Sequence, residues 1–182
     1  MIHGRSVQDD RSGVLALWTG QRQGDLLTLP WSAYDGSHIR LRQSKTGQAV
    51  VVRVGAPLKK LLDRTKKRST VILTNTRGRP WTSDGFRTSW RKMCRKAGIE
   101  GLTFHDLRGS AVTRLSISGA TPQEIAGVTG HSLADIHTML DRHYLGARAT
   151  LGEAAIRRLE RKQKRTKTVN RGVNRAKRSR AK

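Results

Sequence analysis

The chain has 182 residues, with 37 Lys plus Arg against 13 Asp plus Glu, a single cysteine and a net charge of +24. That length suits one domain with a real core rather than two, and a lone cysteine excludes an internal disulfide and a Cys-rich zinc site. The charge far exceeds what solubility requires and calls for a polyanionic partner, most simply nucleic acid.

Residues 1–13 show no packed-helix pattern, whereas Gly13 to Leu29 reads as helical, broken at Gly20 and Gly24 and stopped by Pro30. SHIRLRQSKTGQAVVVRVG alternates and is rich in β-branched residues. It predicts a hairpin, with strands near His38–Gln43 and Ala49–Val54 around a turn at Lys45, Thr46 and Gly47, and Trp31–Asp35 as a third strand ahead of it. Pro57 opens a helix carrying Leu58, Leu61 and Leu62. Val71–Thr74 is short and extended, and Arg77–Pro80 is a turn.

From there the pattern is almost all helical. Thr82 or Ser83 caps a helix to about Ala97, on which Phe86, Trp90, Met93, Cys94 and Ala97 share a face, so Cys94 is expected to be buried. A helix from Asp106 to Ser118 ends at Gly119. Thr121 and Pro122 open a short one to Val128, with Glu124 completing a capping box. Ser132 caps a segment to Leu145, and a last helix starts near Thr150, with Leu151, Ala155 and Leu159 as an apolar stripe. The fold class is mainly α with a small antiparallel β-sheet, without internal repeats.

Residues 161–182 hold eleven basic residues, no acidic ones, and only Val and Ala as apolar residues. Such a segment cannot bury enough surface to fold and is expected to be a disordered basic tail following a domain of residues 1–160. Removing those eleven charges from the +24 still leaves +13 on residues 1–160. No apolar run approaches the roughly 18 residues of a membrane span and no secretory signal opens the chain, so a soluble, cytoplasmic protein is expected.

The stretch TFHDLRGSAV, Thr103 to Val112, places His105 and Arg108 on one face of a first helical turn, with Thr103 and Asp106 at capping-box spacing. The helix dipole repels a cation there, unless an anion sits there too. Four other positions raise the same question. Arg22 stands between Gly20 and Gly24, where backbone can approach a ligand closely. Lys45 lies at the hairpin tip, His131 follows Gly130 just before a helix cap, and Tyr144 falls in DRHYLG. Each also has a plain structural explanation. Arg22 as a solvated side chain, Lys45 as a guard against edge pairing, His131 as a cap, and Tyr144 as core beside Ile136 and Leu140 all remain open on the residues alone.

Taken in order, Arg22, Lys45, the His105–Arg108 helix start, Gly130-His131-Ser132 and Tyr144 resemble the catalytic domain of the tyrosine recombinases, the phage integrase family. The resemblance runs from Thr19 to Leu145 and includes Asp25, an acidic residue three after Arg22. It implies the tyrosine recombinase catalytic-domain fold and site-specific DNA recombination without metal or cofactor. Tyr144 would attack a scissile phosphate, leaving a 3′-phosphotyrosyl link and a free 5′-hydroxyl. Arg22 and Arg108 would grip the non-bridging oxygens, Lys45 would protonate the leaving oxygen, and His105 and His131 would assist. Double-stranded DNA would be the partner, with four protomers acting together and often exchanging a C-terminal segment. Tyr34, the only other tyrosine, precedes Lys45 and is expected to pack on the sheet.

Two features depart from the family pattern. The interval from His131 to Tyr144 is 13 residues, longer than in many members. Only 21 residues precede Arg22, where members carry further helices and an N-terminal DNA clamp, so an N-terminally truncated integrase is expected. That leaves two integrase readings, an active recombinase domain or a catalytically inactive remnant that only binds DNA. A basic RNA-binding or ribosome-associated protein is a third, but its tail would explain none of the ordered site residues.

Overall fold

The computed structural model describes residues 7–141, 152, 153 and 155–161, so Tyr144 and the tail from Lys162 onward lie outside the described residues. In chain order the elements are α1 (Val7–Thr19), α2 (Gln23–Leu27), a 3-10 turn (Trp31–Ala33), β1 (His38–Arg42), β2 (Ala49–Arg53), α3 (Ala56–Asp63), α4 (Ser83–Lys96), α5 (Asp106–Ser118) and α6 (Pro122–Thr129). Residues 133–141 and 155–161 are also helical. Among the described residues the fold is mainly α with one two-stranded antiparallel sheet, as expected. No helix of the described residues is long and apolar enough to cross a membrane.

Two apolar clusters hold these elements. The larger gathers Leu15 and Ala16 of α1, Leu26 of α2, Ile39 of β1, Leu58 and Leu62 of α3, and Phe86, Trp90 and Cys94 of α4. Phe104 meets Phe86 and Trp90 edge to face, each with ring centroids 4.9 Å apart, the quadrupole-favoured arrangement. The smaller cluster joins Val112 of α5, Ile125 of α6, and Ile136 and Leu140 from residues 133–141. Each such fully buried side chain contributes about 1.5–3 kcal/mol. Helix α5 belongs to both clusters, through Leu107 in the first and Val112 in the second.

Local chemistry sets most helix ends. Thr82 accepts from the Gly85 amide at 3.2 Å. Thr121 and Glu124 form the reciprocal capping box of α6, and Gly119 ends α5 with φ of 95°, a left-handed conformation that costs glycine little. The hairpin pairs Ile39 with Val52 and Leu41 with Val50, which turns Ile39, Val50 and Val52 inward.

Four expectations need correction. Helix α1 starts at Val7 rather than Gly13, and Arg11 and Ser12 are buried within it. VQDDRSG carries no apolar period, so tertiary packing overrides its weak local pattern. Gly24 lies inside α2 and breaks nothing, and the chain turns instead at Gly20, where φ is 63°. Trp31–Asp35 is not a third strand. Its first three residues form a 3-10 turn, tied in only by isolated bridges from Pro30 to Val71 and from Tyr34 to Ile39. The capping box predicted at Thr103 is half formed. The Asp106 carboxylate accepts from the Thr103 amide and hydroxyl, both at 2.7 Å, but the Asp106 amide goes to the Thr103 carbonyl at 3.2 Å rather than to the hydroxyl. A run of tight turn bonds, ending with the Arg108 amide on the His105 carbonyl at 2.9 Å, leads into the helix instead.

Candidate active site

The break after α1 positions Arg22. Gly20 closes α1 with its amide on the Ala16 carbonyl at 2.7 Å, and Arg22 is the extended residue that starts α2. Its Nη1 donates to Oε1 of Gln43 at 2.9 Å. Gln43 is fully buried although polar, and it follows Ile39 and Leu41 on the inward parity of β1. Its amide nitrogen donates to Gln21 Oε1 at 2.7 Å and to the Thr129 carbonyl at 2.8 Å.

Lys45 is exposed on the turn that follows, and both of its neighbours are tied down. Ser44 gives its amide and hydroxyl to Asp25 Oδ1, at 2.8 and 2.7 Å. Thr46 donates its hydroxyl to Gln43 Oε1 at 2.9 Å. Gly47 supplies the left-handed turn residue with φ of 67°.

Arg108 enters from the first turn of α5 and is only 3% exposed. Its Nη1 donates to the carbonyls of Gly20 and Thr129, the latter at 2.8 Å, and its Nε donates to His131 Nε2 at 3.0 Å. Its Nη2 is buried with no acceptor in reach among the described residues. Burial first, and then the charge of Arg22, bring the guanidinium down to about 10, which still leaves it protonated at neutral pH.

His131 follows Gly130, the left-handed cap of α6. The network fixes its tautomer. Thr129 Oγ1 gives its proton to the Ile125 carbonyl at 2.8 Å, so it accepts from His131 Nδ1 at 2.8 Å. That leaves the bare Nε2 to accept from Arg108. Burial, then the Arg108 charge, hold the ring down to about 4, and Arg22 and His105 push the same way. His105 itself is exposed at the start of α5.

Arg22, His105, Arg108 and His131 therefore form one electrostatic cluster, and the Lys45 turn is anchored to it through Gln43. A cavity of about 630 Å³, floored by Trp90, Cys94 and Phe104, adjoins the cluster only at His105. Among the described residues no three His, Cys, Asp or Glu side chains gather as metal ligands would. Tyr34 packs against the larger core and shares its hydroxyl proton between Asp63 Oδ1 at 2.9 Å and the Gly36 carbonyl at 3.2 Å. Tyr144 lies outside the described residues. Ser132 caps the helical residues 133–141 that precede it, accepting from the Asp135 amide at 3.1 Å. Sequence reasoning missed Gln43, Gln21 and Thr129. Only Gln43 left a signal, as a polar residue on the buried parity of a strand.

Among the described residues, a buried arginine with an unpaired donor, a second arginine and two histidines gather beside a lysine turn, a donor set of the chemistry that suits a tetrahedral oxyanion. The family model of the phage integrase family matches residues 6–150, and the chain belongs to that family. It is 32% identical over 122 residues to the shufflon-specific DNA recombinase of Escherichia coli, across 64% of this chain and 30% of that protein. It is 31% identical over 136 residues to the integrase of Escherichia phage lambda, across 66% of this chain and 38% of that protein. The crystal structure of a lambda integrase tetramer bound to a Holliday junction superimposes with a TM-score of 0.62 at 25% identity, covering 71% of this chain and 42% of that one. The chain thus spans well under half the length of these curated relatives.

Proposed function

We propose that residues 1–160 form the catalytic domain of a site-specific DNA recombinase that breaks and rejoins strands through a covalent phosphotyrosine. The observation that carries this reading is Arg108 Nη2, a buried donor beside Arg22 that finds no acceptor among the described residues. Leaving such a donor unpaired costs about 1–3 kcal/mol, and a phosphoryl oxygen supplies the missing partner. Arg22 and Arg108 bind the two non-bridging oxygens and stabilise the added charge of the pentacovalent transition state. The Tyr144 hydroxyl attacks phosphorus while passing its proton to His105, the bond to O5′ breaks, and Lys45 delivers a proton to the departing O5′. The phosphodiester energy is retained in the tyrosyl ester, so a 5′-hydroxyl can reverse the step without ATP.

His131 takes a positioning role in this scheme. Its Nδ1–H is committed to Thr129 and its Nε2 accepts from Arg108, so it acts on the phosphate by aligning the guanidinium. His105, exposed at the helix start, is the histidine free to meet DNA. Double-stranded DNA is the substrate, and four protomers assemble on it, as in the lambda integrase tetramer bound to a Holliday junction. Residues 161–182 add a sequence-independent grip on phosphates.

Covalent trapping tests the reading. The purified chain is incubated with nicked suicide duplexes carrying candidate attachment sequence and run on a denaturing gel. A protein–DNA adduct is expected, and it should vanish in Tyr144→Phe. No adduct on DNA that a full-length relative cleaves, with binding intact, would mean a site that binds without chemistry.

A further inference from the structure

We infer that Gln43 is a positioning residue that holds the phosphate-binding arginine and the proton-donating lysine in one fixed relation, a role that rests on the function proposed above. The inference stands on full use of one buried side chain. Oε1 of Gln43 accepts from Arg22 Nη1 at 2.9 Å and from the Thr46 hydroxyl at 2.9 Å. Nε2 donates to Gln21 Oε1 at 2.7 Å and to the Thr129 carbonyl at 2.8 Å. Every donor and acceptor of the amide is thus occupied, and flipping it would set N–H against N–H. The same Thr129 carbonyl accepts from Arg108 Nη1, and the Thr129 hydroxyl fixes His131.

One amide therefore links three chain segments that are distant in sequence. Its oxygen serves Arg22 and the residue after Lys45, and its nitrogen serves the end of α6, where Arg108 and His131 are held. Gly130 makes room for it. A Cβ there would lie 2.4 Å from Gln43 Nε2. Backbone bonds close the turn that carries the exposed Lys45, the Gly47 amide on the Gln43 carbonyl and the Gln43 amide on the Gln48 carbonyl, both at 2.8 Å. The Thr46 and Ser44 side chains tie that closed turn to Gln43 Oε1 and Asp25. Misplacing a catalytic group by about 1 Å costs on the order of 10²-fold in rate.

The test separates the two arms of the amide. Single-turnover cleavage is measured on a suicide duplex with an ordinary scissile phosphate and on the same duplex with sulfur replacing the bridging O5′. In the second substrate the P–S bond breaks to a thiolate that needs no proton, so Lys45 drops out of the chemistry. Thr46→Val breaks only the lysine arm. It should slow the ordinary substrate by about tenfold and match the unsubstituted protein on the sulfur one. Gln43→Leu breaks both arms. It should lose on the order of 10²-fold on the ordinary substrate and regain only part of that on the sulfur one, the remainder belonging to Arg22.

Equal losses on both substrates for both variants would overturn the inference, as would wild-type rates. Hydrogen exchange on the full chain without DNA gives a readout that does not depend on activity. The Ser44 amide, which donates to Asp25, should exchange faster in Gln43→Leu and Thr46→Val. Unchanged exchange there also overturns the inference. If the unsubstituted chain cleaves neither substrate, the functional reading has failed, and the exchange result decides on Gln43 alone.

Discussion

Arg108 and His131 are joined ring to guanidinium, Nε donating to Nε2 at 3.0 Å, and this bond can exist only while His131 is neutral. Protonating Nε2 would set two donors against each other in a site that already holds Arg22 and Arg108. Burial and the Arg108 charge accordingly depress the imidazole from 6.5 to about 4. The unfolded chain then binds the proton more readily than the folded one between pH 6.5 and about 4, so stability rises with pH through that window and is lost as pH falls. Allowing for solvent screening at a half-buried ring, the loss is on the order of 1–2 kcal/mol. Urea unfolding at pH 7 and pH 4.5 should show it, and His131→Gln should flatten the difference. An equally steep dependence in that variant would place the titrating group elsewhere.

Arg108→Lys keeps the charge and loses the fork. A single ammonium cannot reach the carbonyls of Gly20 and Thr129, the imidazole of His131 and a phosphate together. Orphaned buried acceptors should lower stability by about 1–3 kcal/mol. Strand cleavage should fall on the order of 10²–10³-fold, the loss typical of removing one transition-state donor. Urea unfolding and single-turnover cleavage measure the two effects separately. A variant that unfolds earlier yet cleaves at the original rate would make Arg108 a structural residue alone.

The parts of this molecule that were legible in the sequence are those where local chemistry decides. Thr82, the Thr121–Glu124 box and Gly119 announce helix ends because each satisfies backbone groups within a few residues of itself. The hairpin is announced by alternation, and the order of Arg22, Lys45, His105, Arg108 and His131 points to the candidate cluster in which Arg22, Arg108 and His131 share one hydrogen-bonded network. Helix α1 was hidden because VQDDRSG has no apolar period, and its burial of Arg11 and Ser12 depends on elements that arrive later in the chain. Trp31 looked like a strand residue because aromatic content was read without a pairing partner, and the chain forms only isolated bridges there. Gln43 could be flagged as polar on a buried parity, but its partners Arg22 and Thr129 are revealed only by the fold.

Gly130→Ala tests how tightly the cap of α6 is packed against that amide. Gly130 has φ of 67°, where a side chain costs about 1–2 kcal/mol. The added Cβ would also fall 2.4 Å from Gln43 Nε2, too close for any real contact. Gln43 must then retreat from the Thr129 carbonyl. The variant should melt lower and cleave more slowly while binding DNA with similar affinity. Combining it with Gln43→Ala, which removes the obstructing amide, should recover part of the lost stability and none of the lost rate. Recovery of both would mean that the amide matters only as an obstacle.

The last prediction concerns the ten basic residues of the segment 162–182, which lie outside the described structure and have no acidic neighbour in that stretch. Binding that neutralises phosphates releases counterions, and the salt dependence of affinity counts them at about 0.9 per contact on duplex DNA. Deleting residues 162–182 should therefore flatten the plot of log affinity against log salt by several units, up to about 9 if every basic residue meets a phosphate. Fluorescence anisotropy with a labelled duplex from 50 to 300 mM salt, on the order of the range where such slopes are resolved, measures this. Cleavage at saturating DNA should be unchanged, because the described bonds that hold Arg22, Thr46, Arg108 and His131 are made among residues that precede the deleted segment. A slope left intact by the deletion would move the electrostatic grip to residues 1–161, whose net charge is +24 less the ten deleted, or +14. A drop in the saturated cleavage rate would instead give the segment a part in assembling the active complex.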